Sequence, residues 1–269
     1  MRFCGLWATI LVLCLPLAAE PKWRLIWHDE FDGPAGAPPD PALWTIVTGA
    51  SGWGNHELEE YTRLPENASL DGEGHLVILA LSSKGRYTSA RLKTQGLFSV
   101  TYGKIEARMQ LPYGQGMWPA FWMMGTDSDK GWPACGEIDI MENIGKEPYS
   151  IHGTVHGPGY SGRGGIGSTA TLMDGHELSD DFHVYGIIWD EDSIQFLMDG
   201  DPYFEVTPSQ LPAGARWVYD HPFYILMNLA VGGDWPGNPD ATTEFPQRLV
   251  VDYVRVYVDA DRLLRRQQK

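Results

Sequence analysis

Gly136-Glu137-Ile138-Asp139-Ile140-Met141-Glu142-Asn143 sets three acids into a β-prone apolar segment. In a regular strand, side chains alternate between faces, so 137, 139 and 141 point one way and 138, 140 and 142 the other. Glu137 and Asp139 therefore agree in direction and Glu142 opposes them. A single β-bulge at Ile140-Met141 absorbs one residue and returns Glu142 to the shared face, and bulges re-aim side chains in this way beside active sites. Three carboxylates on one face repel, and such like-charge clusters concentrate at functional sites. The plain alternative is an exposed strand edge bearing three solvated acids. A carboxylate metal site fits less well, because no His or Asn fan lies adjacent in the strand.

Working outward, period-two runs recur at 76–81, 98–102, 104–109, 183–189, 194–198, 223–229 and 249–258, each read as a strand. Asp190-Glu191-Asp192-Ser193 and Asp199-Gly200-Asp201-Pro202 supply turn chemistry between them. Helical periodicity is confined to hints at 178–182 and after Asp259. No repeat and no linker divides the chain, so one all-β domain is expected, a sandwich of two antiparallel sheets. The Gly/Pro-rich stretches 34–41 and 160–167 read as surface loops.

Residues 1–19 have the form of a secretory signal peptide: Arg2, an apolar run over 3–17, then Ala18-Ala19. The expected organisation is thus a leader (1–19), one domain (20–259) and a short basic tail (260–269), secreted or periplasmic and monomeric. No other segment has the roughly 20 apolar residues of a spanning helix, so no membrane partner is expected after cleavage. Removing the leader takes Cys4 and Cys14, which leaves Cys135 as a lone buried filler without a disulfide partner.

The 269 residues carry 20 Lys+Arg against 35 Asp+Glu, a net charge of −15, which argues against nucleic acid as a partner. The 43 % hydrophobic content supports a packed core. The 11 Trp, 12 Tyr and 31 Gly beside many acids suit a carbohydrate groove, although Trp also fills cores. With the bulge in place, the Glu137 and Glu142 backbones stand roughly 13 Å apart at about 3.3 Å per residue. Two side chains leaning inward by roughly 4 Å each leave about 5 Å, near the gap of retaining glycosidases and short of the roughly 6.5–9.5 Å of inverting ones.

Further stretches share one pattern: Gly52-Trp53-Gly54-Asn55-His56-Glu57-Leu58, Tyr87-Thr88-Ser89-Ala90-Arg91-Leu92, Tyr102-Gly103-Lys104-Ile105-Glu106-Ala107-Arg108 and Gly116-Met117-Trp118-Pro119-Ala120-Phe121-Trp122-Met123. His152-Gly153-Thr154-Val155-His156-Gly157, Asn228-Leu229-Ala230-Val231-Gly232-Gly233-Asp234-Trp235-Pro236-Gly237 and Val251-Asp252-Tyr253-Val254-Arg255-Val256-Tyr257 extend it. Together with the acidic strand they resemble glycoside hydrolase family 16, in its laminarinase-like endo-β-1,3-glucanase branch, from about Trp27 to Tyr257. The extra Met141 is similar to that branch, whereas lichenase-like relatives have Glu-x-Asp-x-Glu. The resemblance implies a concanavalin A-like β-jelly-roll whose concave face forms the groove. It also implies retaining hydrolysis of internal β-1,3 bonds in glucans such as laminarin, with mixed β-1,3/1,4-glucan as a second substrate. Its roles are Glu137 as nucleophile, Glu142 as acid/base and Asp139 as the assisting acid between them. A transglycosylase shares the intermediate, and a non-catalytic β-glucan-binding relative lacks the acids that are present here.

The remaining candidates carry two readings each. Trp118 and Trp122, four apart on one strand, stack on sugar rings or fill the core. Trp235, in a Gly/Pro-rich loop, favours the groove. His156 is a structural histidine or stands on the leaving-group side. Asn55 and Arg91 bind sugar hydroxyls, or are a turn residue and a surface ion pair. Met141 is the bulge residue, with a sugar contact as the further reading. Glu57, Glu59 and Glu60 read as a solvated charge run. No cofactor is expected for the chemistry. The resemblance also implies a structural Ca²⁺ on the convex side, held by Glu30, the Gly74 carbonyl and Asp252, unless these are surface acids.

Overall fold

Alternating apolar side chains with Gly- and Asp-rich turns between them dictate strands almost throughout residues 22–261, which the computed structural model describes. The leader and most of the basic tail lie outside the described residues. Seventeen strands are formed among them. They are β1 (Trp23–Asp29), β2 (Thr45–Val47), β3 (Glu59–Tyr61), β4 (Ala68–Leu70), β5 (Leu76–Ser83), β6 (Arg86–Ser89), β7 (Arg91–Lys93), β8 (Gly103–Gln110) and β9 (Met117–Gly125). The series continues with β10 (Glu137–Glu142), β11 (Ser150–His156), β12 (Ile166–Thr171), β13 (His183–Trp189), β14 (Ile194–Met198), β15 (Asp201–Val206), β16 (Phe223–Val231) and β17 (Gln247–Asp259).

One sheet runs β15-β14-β13-β8-β17-β5-β6-β3, with β1 added on β17 and β4 on β5. The other runs β12-β11-β10-β9-β16-β7-β2. All pairings are antiparallel except β3 with β6. The two sheets bury one shared core, to which Ile105, Ile187, Phe196 and Val256 contribute from the first and Phe121, Ile138, Ile225 and Met227 from the second. Alternation then sends Trp118, Ala120, Trp122 and Met124 of β9 to the opposite face, where they line a groove. This is the expected jelly-roll sandwich, with the groove over the seven-stranded sheet.

Residues 98–102 are the exception among the expected strands. Leu97 and Phe98 N–H groups fold back on the Thr94 carbonyl, and Tyr102 takes a positive φ of 69°. Only Val100 forms a bridge, with Phe223. The short β2, β3, β4, β6 and β7 are three or four residues each, too brief to carry a period.

The bulge forms where parity demands it. Against β9, Asp139 pairs with Trp122 and Met141 with Phe121, so one residue of β10 is extra. Against β11 the same slip falls between Asp139–Thr154 and Glu142–His152. Ile140 and Met141 both enter the shared core, each 0 % exposed, and Glu142 emerges into the groove. The expected sugar contact of Met141 is therefore corrected: the bulge turns this side chain inward, out of reach of any ligand in the groove.

Glu59 also departs from expectation. It is 1 % exposed, and its Oε2 accepts the Val231 N–H at 2.8 Å. Burial, reinforced by the neighbouring Glu57 charge, pushes its carboxyl up to about 8. Of the supposed solvated run, Glu60 alone is exposed. Glu59 fastens β3 to the end of β16, from which the loop bearing Trp235 departs.

Met141→Ala should lower unfolding free energy by about 2–5 kcal/mol, as core truncations do, while leaving KM for glucan unchanged. Denaturant unfolding and steady-state kinetics on the same preparation check this. An unchanged stability with a raised KM would return Met141 to the groove.

Candidate active site

β10 carries the three acids between β9, which supplies Trp118 and Trp122, and β11, which supplies His152 and His156. Register pairs Glu137 directly with His156. The imidazole Nε2 stands 3.1 Å from Asp139 Oδ2 and 3.9 Å from Glu137 Oε1. The Glu142 Oε1 accepts the Trp118 indole N–H at 3.0 Å. The expectation that no histidine adjoins the acids holds only along the chain, since the neighbouring strand provides one. Behind the imidazole, Gly165 leaves no room for a Cβ, which would strike His156 Cε1. The loop before β12 thereby backs the ring, while residues 166–167 of the expected 160–167 loop belong to β12 itself.

The acids are desolvated. Asp139 is 5 % exposed, and burial pushes its carboxyl up to about 8. Burial, followed by the Asp139 charge, raises Glu137 to about 8, against the opposing pull of His156, Arg91 and a hydrogen bond from Trp132. Glu142 is raised well above the usual range by burial and then by Asp139, with His156 and the Trp118 N–H opposing. Arg91 and the Trp132 bond are among the leading influences on Glu137, whereas the Trp118 N–H is among those on Glu142. The two glutamates thus sit in electrostatically different settings within one cluster.

The groove encloses about 1010 Å³, at the upper end of the range for small-molecule sites. Its lining includes Asn55, Arg91, Trp118, Trp122, His156 and Trp235 beside the three acids. Arg91 is no surface ion pair: its guanidinium lies 4.9 Å from the Trp53 ring centroid and 4.7 Å from that of Trp122. Trp122 is 9 % exposed and donates its N–H to Asn228 Oδ1, so it is both core-like and groove-facing. Trp118 meets Trp235 edge to face at 5.6 Å, and Trp235 keeps 38 % of its surface exposed. The Asn55 side chain donates to Glu57 Oε1 at 3.0 Å.

Trp53, Trp132 and Asn228 line the groove without having been singled out. Trp132, 51 % exposed, carried the same signal as Trp235: a large aromatic in a Gly/Pro-rich loop. Asn228 had none, since only the β9–β16 register places it beside Trp122. Cys135 is buried and free, its thiol pushed up by burial, as expected of a filler.

The implied calcium ligands converge by topology. β5 begins opposite Val251, which brings the turn holding Gly74 beside Asp252, and β1 ends opposite Val254, which brings Glu30 there. Both carboxylates are engaged, however. Glu30 takes a two-pronged bond from Arg255 at 2.9 and 2.7 Å, and Asp252 accepts from Arg108. As placed, they do not form an open oxygen cage.

Residues 59–255 match the family described as Glycosyl hydrolases family 16. The chain is 42 % identical over 279 residues to a β-glucanase of Rhodothermus marinus, covering 96 % of this chain and 94 % of that protein. The endo-β-1,3-glucanase structure from Pyrococcus furiosus superposes with a TM-score of 0.82 at 51 % identity, over 88 % of this chain and 95 % of that one. The catalytic domain of a Thermotoga petrophila endo-1,3-β-glucanase (laminarinase) gives 0.84 at 46 % identity, over 89 % and 99 %. With residues 59–255 matching the family model and relatives 42–51 % identical over most of its length, the chain belongs to glycosyl hydrolase family 16.

Proposed function

We propose that the groove hydrolyses internal β-1,3-glucosidic bonds in glucans such as laminarin, with mixed β-1,3/1,4-glucan as a further substrate, and with retention of configuration. The observation that carries this reading is the bulge that brings Glu142 into the groove with Glu137 and Asp139. Glu137 attacks the anomeric carbon while Glu142 protonates the departing glycosidic oxygen. Glu142 then takes a proton from water, which releases the sugar from Glu137. Glu137 is raised by burial and the Asp139 charge, and His156, Arg91 and the Trp132 bond offset part of that rise, which favours the ionised form that a nucleophile needs. Burial and the Asp139 charge keep the proton that an acid needs on Glu142. Asn55, Arg91, Trp118, Trp122, His156 and Trp235 hold the sugar chain, with flat indole faces suited to pyranose rings. The relatives named above are β-glucanases and β-1,3-glucanases, which supports the substrate class.

Transglycosylation uses the same covalent intermediate and differs in whether a sugar or water intercepts it. The non-catalytic β-glucan binder is disfavoured by the intact acids. In this reading residues 1–19 direct export, 20–259 form the catalytic domain, and 260–269 are a basic tail. The enzyme then works as a secreted or periplasmic monomer without nucleic-acid or membrane partners. Among the described residues no helix is long and apolar enough to cross a membrane. No cofactor enters the chemistry. A structural Ca²⁺ at Glu30, the Gly74 carbonyl and Asp252 belongs to the proposal as a stability element only, and it requires a carboxylate to leave its arginine.

Proton NMR of laminarin digestion should show the β-anomer first and a ladder of oligosaccharides; initial α-anomer would exclude retention. Glu142→Gln should lose about 10²–10⁴-fold in kcat on unactivated glucan, and Glu137→Ala should regain turnover with azide as an α-glycosyl azide. Asp139→Asn removes the charge that raises Glu142, so the alkaline limb of the kcat/KM–pH profile should move to lower pH. An unmoved limb would remove Asp139 from proton control. Millimolar calcium should raise the melting temperature and EDTA lower it, whereas a midpoint indifferent to both would eliminate the calcium site.

A further inference from the structure

We propose that Glu137, Asp139 and His156 form a site for a divalent cation of the zinc class on the groove floor, one whose occupancy excludes glucan. Ligating atoms of these three side chains all lie within 4.8 Å of one another. Around a tetrahedral ion with bonds of about 2.0–2.2 Å, ligand atoms stand about 3.3–3.6 Å apart. The 3.1 Å between His156 Nε2 and Asp139 Oδ2, and the 3.9 Å to Glu137 Oε1, bracket that spacing. Asp139 is 95 % buried by its 5 % exposure, yet its Oδ2 closes no hydrogen bond despite facing His156. A buried carboxylate oxygen that faces an imidazole nitrogen at 3.1 Å without closing a hydrogen bond, with a second carboxylate beside it, is a set of ligand atoms that a cation can bridge.

The donor set selects the metal. One imidazole and two carboxylates suit zinc or copper, whereas calcium and magnesium require six or more oxygens. Three protein ligands leave a fourth position open toward the groove, as in accessible zinc sites. The ligands come from two hydrogen-bonded strands, β10 and β11, with Glu137 and His156 opposite one another. The geometry is therefore fixed by the sheet rather than by a loop. The cation would occupy the place where the sugar ring meets Glu137, so metal and substrate compete.

The test is isothermal titration of the full chain with zinc chloride alone, beside kinetics on laminarin. One saturable site should appear, with zinc inhibition competitive against glucan and reversed by EDTA. His156→Ala should weaken zinc binding by at least about tenfold, the lower bound for disturbing a metal's immediate surroundings. Should that variant fail to fold by its melting curve, Asp139→Asn should show the same loss. Glu142→Gln, which lacks the acid/base but keeps all three ligands, should bind zinc as the wild type does. That variant separates failure of the metal site from failure of the catalytic reading. Absence of a saturable site, or equal zinc affinity in a folded His156→Ala or Asp139→Asn chain, would overturn the proposal.

Discussion

Parity in a β-strand places residues an odd number apart on opposite faces, and Glu137 and Glu142 are five apart. The bulge at Ile140 and Met141 reverses that parity for everything after it. Both bulge residues are wholly buried in the core shared by the two sheets. The packing of the sandwich therefore holds the bulge, and the bulge in turn holds the acidic face of the groove. No loop rearrangement is needed to assemble the acids.

The same burial shapes the chemistry. Desolvated carboxyls surrounded by indoles retain protons to higher pH than solvated ones, and crowding them strengthens the effect. The protein tempers this unevenly, through Arg91 between two indoles on the Glu137 side and through the Trp118 N–H on Glu142. One cluster thereby presents two carboxyl environments, as the proposed acid and nucleophile roles demand. Glu59 repeats the motif at a distance, a buried acid that ties β3 to β16 beneath the loop carrying Trp235.

Much of this was legible in the residues. Long alternating runs such as 183–189 and 194–198 became strands with those bounds, because a half-buried sheet face imposes period two. The bulge was legible because three acids within six residues make sense on one face only with an odd residue absorbed. What stayed hidden depended on partners distant in the chain. Asn228 meets Trp122 across β16 and β9, and His156 meets Glu137 across β11 and β10. Glu59 looked solvated because nothing local shows that the Val231 N–H, 172 residues on, is its partner. Residues 98–102 carried a strand's alternation but close on Thr94, whose hydroxyl also reaches the Phe98 carbonyl, so local turn bonds won over pairing.

The parity argument is tested most directly by shortening β10. Deleting Met141 removes the surplus residue and leaves Glu-Ile-Asp-Ile-Glu, which keeps all three acids on one face of a regular strand. Deleting both Ile140 and Met141 puts the last acid on the opposite face. The account predicts that the folded single deletion hydrolyses laminarin measurably, whereas the folded double deletion is as inactive as Glu142→Ala. A single deletion as dead as the double one, in a chain that still melts cooperatively, would contradict it.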